Sequence, residues 1–166
     1  MATLAQSAAV DQRREFLRHT LATLAYRGGK AVRDVPADFA EFRVAEGART
    51  PLQILSHIGD LLDWALSIAQ GKQRWQDAAP LPWDDEVRRF YAGLQALDDC
   101  LSSAEPLGAS CAALFQGPIA DALTHVGQIA LLRRAAGCPL KGENYFRAEI
   151  VAGRVGPAQA APKREF

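Results

Sequence analysis

Residues 50–71 read TPLQILSHIGDLLDWALSIAQG, and this stretch decides the fold class. Thr50 is a good N-cap. Pro51 occupies the first helical position, where a missing N–H costs nothing. Leu52, Ile54, Leu55, Ile58, Leu61, Leu62, Trp64, Ala65 and Ile68 recur at threes and fours and form a broad apolar face. Asp60, Asp63 and Ser67 read as the wet face. Gly71 follows the expected last residue, Gln70, as a C-terminal stop.

Three more helical segments flank this one. Upstream, Val10, Leu17, Leu21 and Leu24 give an apolar stripe over about residues 7–26, with Gly28 and Gly29 expected to end it. Phe39 and Phe42 lie in the connection and should pack on the helices. Downstream, a turn with Pro80 and Pro82 leads to a helix starting near Asp84. Val87, Phe90, Tyr91, Leu94, Leu97 and Leu101 form its stripe, and Pro106 and Gly108 close it. A short helical piece fits Ser110 to Phe115. Gly117-Pro118 opens the last helix, which runs to Ala136 and stops at Gly137. No strand-period alternation and no repeat stands out. The expectation is an all-α fold, an antiparallel four-helix bundle in a single domain over 1–166. Residues 140–166 form an extended C-terminal segment whose Gly/Pro/Ala tail is expected to fray.

Composition bounds the function. The 166 residues suffice for a core without disulfides or a structural metal. Nineteen basic residues balance nineteen acidic ones, so the electrostatic footprint of a dedicated nucleic-acid binder is missing. Cys100, Cys111 and Cys138 form no CxxC pair and are odd in number, which reads as reduced thiols. The N-terminus does not read as a signal peptide, and no apolar run reaches the ~20 residues of a membrane span. These features lead to the expectation of a cytoplasmic protein with no membrane partner.

The chain has three histidines. His19 lies opposite the first stripe and reads as exposed. His57 falls at the margin of the apolar face, beside Leu61, Trp64 and Ile68. It has two readings: a core-edge histidine satisfied by a neighbour, or a ligand residue, since an unpaired buried imidazole is costly. His125 has Asp121 one turn before it, so both side chains can converge on one point. A carboxylate and an imidazole suit zinc and other divalent transition metals. Asp-x-x-x-His also occurs as a plain helix pair. The strongest apolar arc of that helix, through Ile119, Leu123, Val126 and Ala130, points away from the Asp121/His125 stripe. Ile129 and Leu132 nevertheless make the helix apolar nearly all round. Gln128 continues the polar stripe and could orient a ligand or bind substrate. One histidine on the second helix with an Asp/His pair on the fourth would supply three ligands and leave a fourth position open, as catalytic zinc sites do.

TPLQILSHIGDLLDW (50–64) followed by DALTHVGQIALLRRAAGCP (121–139) resembles the DinB-like superfamily of small bacterial four-helix-bundle proteins, over about residues 7–140. The H-x-G-Q-x-x-x-L-R pattern beginning at His125 is the most specific part. The resemblance implies one divalent metal (zinc, nickel, iron or manganese) held by His57, Asp121 and His125, and a homodimer. Asp121 stands where many members carry histidine, and a thiol-dependent branch of the superfamily has an acidic residue there. Two functions follow as expectations. One is a metal-dependent transferase or hydrolase acting on a small electrophile, with a low-molecular-weight thiol as a candidate cosubstrate, Gln128 beside the ligands and Trp64 lining the pocket. The other is a non-catalytic stress-related binding module with a structural or vestigial metal. Glu143, Asn144 and Tyr145 are expected to fold back over the cleft and add polar groups to it.

Overall fold

The computed structural model describes residues 3–166, and for residues 3–11 the backbone alone. Among the described residues the regular elements are helices: α1 (Thr3–Val32), α2 (Pro51–Ala69), α3 (Trp83–Ser102), α4 (Cys111–Leu114) and α5 (Ala120–Ala135). The four long ones share one core. α2 packs against α3 and α5, and α1 packs against the same two. No helix among the described residues is long and apolar enough to cross a membrane. Leu17, Leu21 and Leu24 from α1 meet Leu55, Ile58 and Leu62 from α2, Phe90, Leu94 and Leu97 from α3, and Ala122 and Ile129 from α5. Each of the large side chains contributes about 2 kcal/mol by leaving water. Val10, the first residue of the expected α1 stripe, has its side chain outside the described part.

The start of α2 is fixed more firmly than Thr50 and Pro51 alone suggest. Thr50 Oγ1 accepts from the Gln53 N–H (3.1 Å), and Gln53 Oε1 accepts from the Thr50 N–H (2.9 Å). This reciprocal cap satisfies two otherwise orphaned donors. Gly71 (φ 70°) and Gly137 (φ 76°) adopt the left-handed conformation just beyond α2 and α5. Both therefore act as the stops their positions indicate. Phe39 is buried edge-on to Trp83, with ring centroids 5.8 Å apart.

Several expectations need correction. Gly28 and Gly29 do not end α1, which continues to Val32. They are close-approach positions instead: a Cβ on Gly28 would lie 2.6 Å from Phe90 Cζ, and one on Gly29 would strike the Tyr91 hydroxyl. Asp60 is not on the wet face. It is buried and accepts from Arg89 Nη2 on α3 (2.6 Å), which also reaches Asp63 on the exposed side (2.7 Å). A carboxylate pointing inward is tolerable here because a guanidinium meets it. The last long helix does open at Gly117-Pro118, though not after a clean gap: α4 runs into a wide π-type turn, Phe115–Ile119, whose backbone is non-helical at Gly117 alone, and α5 continues from it over Ala120–Ala135.

The C-terminal segment is docked, not frayed. The Asn144 N–H donates to the Arg164 carbonyl (3.0 Å) and the Phe166 N–H to the Gly142 carbonyl (3.0 Å), with an isolated antiparallel bridge between Glu143 and Glu165. Lys30 on α1 then clamps both strands of this return, donating to Glu143 Oε2 (2.8 Å) and Glu165 Oε1 (2.7 Å). Tyr26 Oη donates to Glu143 Oε1 at 2.6 Å. At the other end of the chain's connections, the buried guanidinium of Arg133 donates to the carbonyls of Ala31, Arg33, Asp34 and Cys138. It thereby ties α5 to the end of α1, where helix carbonyls lack partners of their own.

Candidate metal centre

α2 and α5 bring His57, Asp121 and His125 to one point. His57 Nε2 lies 3.8 Å from Asp121 Oδ2, and His125 Nε2 lies 3.4 Å from Asp121 Oδ1. One ligand atom from each of the three residues falls within 4.8 Å of the others. Bonds of roughly 2.0–2.1 Å in a tetrahedral zinc site put ligand atoms about 3.4 Å apart, so side-chain adjustments of about an ångström close this set on an ion. The imidazole rings stand nearly perpendicular (88°) with centroids 4.8 Å apart, which keeps them from stacking and lets both nitrogens face Asp121.

The three residues could hold a cation. His125 is buried, and its Nδ1 donates to Gln128 Oε1 at 2.8 Å. With Nδ1 carrying the proton, Nε2 keeps its lone pair toward Asp121, and the ring is held in one orientation. His57 is half-buried, and burial pushes its pKa below the usual histidine value. The charges of His125 and Arg49 push the same way, against the smaller pull of Asp121 and Asp60. A neutral imidazole is the form that ligates. Asp121 is the exposed member, with 48% of its side chain open, so the centre faces solvent on the carboxylate side. Two neutral imidazoles and one carboxylate would leave a divalent ion with a net single positive charge.

The remaining expected residues divide. Trp64 is half-buried and reaches the centre only through Trp75, which stands edge-on to Trp64 (5.6 Å) and to His57 (5.7 Å). The Trp64 indole N–H is buried without a hydrogen-bond partner. Glu143, Asn144 and Tyr145 do not add polar groups to this cleft. Glu143 is turned to α1 by Tyr26 and Lys30, and Tyr145 packs edge-on against Tyr26 with Arg27 over its ring. His19 is exposed and apart from the cluster. The three cysteines are free thiols, half-buried, and none belongs to the centre.

Two residues of the centre escape a reading of the sequence. Trp75 lies in the irregular connection between α2 and α3, where no periodicity assigns a face. Arg49 immediately precedes the α2 cap and lines the hollows on both sides of the ligand cluster. Nothing in its sequence position indicates this, because the connection from Phe42 to Thr50 carries no regular structure. The buried face of α5 also differs from the expected apolar arc. It is Ala122, His125, Val126, Ile129, Leu132 and Arg133, while Leu123 and Ala130 are only half-buried. His125 is thus on the covered side. Compared with protein-family models, with curated proteins and with solved structures, the chain matches none.

Proposed function

We propose that this chain is a divalent-metal-dependent enzyme of the DinB-like type, an antiparallel four-helix bundle that uses His57, Asp121 and His125 as ligands. The observation that carries the proposal is the convergence of three ligand groups from two helices, with the tautomer of His125 set by Gln128. A bound divalent ion supplies Lewis acidity, lowering the pKa of a water or thiol in the open position toward neutrality. The protein's own part is to aim both imidazoles, to favour the neutral form of His57, to lower the charge of the centre with Asp121, and to shield one side with Trp75. The reaction is thiol transfer to, or hydrolysis of, a small electrophile. The same affiliation carries a homodimeric, cytoplasmic protein.

Metal content measured on protein purified without a histidine tag tests this. Near one equivalent of zinc, nickel, iron or manganese is expected in the wild type, and loss of it in His57→Ala and His125→Ala with the helical spectrum intact. Unchanged metal in both variants, or no uptake by the wild type, removes the proposal.

A second reading has its own support, because the ligands come from α2 and α5, two helices that pack directly on each other. A metal there would staple the pair without catalysing anything. Under this reading chelation lowers the melting temperature strongly while the loaded protein turns over no thiol acceptor.

A further inference from the structure

Arg49 separates two hollows of different character. On one side lies a hollow of about 350 Å³ that also contains Arg43, His57, Asp60 and Asp77. Its cations are partly spent: Arg43 donates to the Ala48 carbonyl (2.6 Å), and two carboxylates face the same space. On the other side is a hollow of about 400 Å³ lined by Arg49, Ile54, His125, Gln128, Leu131 and Leu132. Arg49 is the only charged side chain there. Unlike Arg43, Arg89 or Arg133, it has no internal hydrogen bond or ion pair among the described residues. Leu131, in the same wall, is 61% exposed, a large apolar side chain with no cover.

A free guanidinium, an apolar wall and a ligand histidine in one hollow define a ligand. We infer that the hollow between α2 and α5 takes a small molecule with an apolar body and one carboxylate, the carboxylate on Arg49 and the reacting end at the His57/Asp121/His125 centre. The inference rests on the metal reading above and names the substrate class for it. The apolar body would lie on Ile54, Leu131 and Leu132. The carboxylate would gain a charge-assisted, bidentate pair with the one guanidinium in this hollow, which has no hydrogen bond or ion pair of its own among the described residues. The opposite hollow is the poorer site for an anion, since Asp77 and the Arg89-paired Asp60 line it. A divalent ion with two neutral imidazoles and one carboxylate keeps a net positive charge, which favours the same sign of ligand.

The test uses cobalt-loaded protein titrated with 6-mercaptohexanoate and with its neutral counterpart 6-mercapto-1-hexanol. The readout is the thiolate-to-cobalt absorption band. Wild type should bind the acid about tenfold more tightly than the alcohol. Arg49→Gln should bring the two affinities together, by weakening the acid and leaving the alcohol unchanged, and Arg49→Lys should keep part of the preference. Arg49 is exposed and precedes the helix cap, so these variants fold, and circular dichroism checks it. Equal binding of acid and alcohol by the wild type overturns the inference. So does a preference that survives in Arg49→Gln. Failure of the metal reading looks different: the wild type then takes up no cobalt that His57→Ala loses, and both proposals fall together.

Discussion

Replacing Glu143 by Gln keeps the shape of the side chain and removes its charge, and the docked C-terminal segment makes this a severe change. The Glu143 side chain is 0% exposed, and the Lys30 side chain facing it is 6% exposed. The carboxylate accepts from Tyr26 Oη at 2.6 Å and from Lys30 Nζ at 2.8 Å. Removing one partner of a buried ion pair costs roughly 3–5 kcal/mol, because the other charge stays buried. Here Glu165, 31% exposed, still meets Lys30 at 2.7 Å, so the loss should fall near the lower end, about 3 kcal/mol. For a chain of this size, each kcal/mol shifts the melting temperature by about 2–4 °C. Glu143→Gln should therefore melt about 6–12 °C lower. Glu165→Gln should cost less, and adding Lys30→Met to Glu143→Gln should recover part of the loss. The assay is thermal and urea unfolding of wild type, Glu143→Gln, Lys30→Met and the double variant as a double-mutant cycle, with Glu165→Gln measured beside them. A Glu143→Gln variant within about 0.5 kcal/mol of wild type would refute the reasoning, since losing the buried partner of Lys30 should cost more than that even with Glu165 still in place.

The same clamp predicts a pH window. Burial alone would lower the Lys30 ammonium, but the hydrogen bonds to Glu143 and Glu165 outweigh it and hold its pKa above 10.5, while the bond from Lys30 holds Glu165 below 4.5. The clamp's stabilisation should be complete between those two ordinary values. It is lost as the pH falls through the lowered Glu165 value or rises through the raised Lys30 value. The stability gap between wild type and Lys30→Met, measured against pH, should be flat inside the window and narrow outside it. Gly28→Ala tests the close approach of α1 to α3: the added methyl meets the buried Phe90 ring, and the net cost should be about 1–2 kcal/mol in urea unfolding. If Gly28 were merely a tolerated helix residue, the same change would instead stabilise by up to about 1 kcal/mol. Gln128→Leu removes the acceptor for His125 Nδ1, and metal affinity by competitive titration should fall about 10- to 100-fold with all three ligands in place. An unchanged affinity would show that Gln128 does not orient the ring.

The comparison of α2 with α1 shows where a sequence is sufficient. Around α2 every local choice agrees: cap, proline, apolar period and terminal glycine all indicate one helix, and the observed Pro51–Ala69 follows them within a residue. Glycines in α1 carry a signal with two meanings. Gly28 and Gly29 look like a stop, yet they are the flat positions on which Phe90 and Tyr91 rest, and only the presence of α3 distinguishes the two. Asp60 has the same ambiguity. A carboxylate on an amphipathic helix defaults to water, and it faces inward here because Arg89 arrives from another helix to pair with it.

The candidate centre divides along the same line. The i, i+4 pairing of Asp121 with His125 is a property of helical geometry and is legible in one dimension, as is the margin position of His57. That the three share a point depends on how α2 and α5 pack, which no local pattern encodes. Trp75 and Arg49 belong to irregular connections, where neither period fixes the direction of a side chain, so their places beside His57 and His125 exist only in the folded chain. Glu143 shows the converse. Its charge suggests a cleft residue, but a buried carboxylate goes where hydrogen-bond donors can satisfy it, and Tyr26 and Lys30 of α1 provide them. The sequence by itself determined the helical class, both ends of α2, the start of α3 and the stop after α5, and the candidate ligand pair on α5. The tertiary structure decided which polar side chains are inside, because the cost of burying a charge depends on a partner that is distant along the chain.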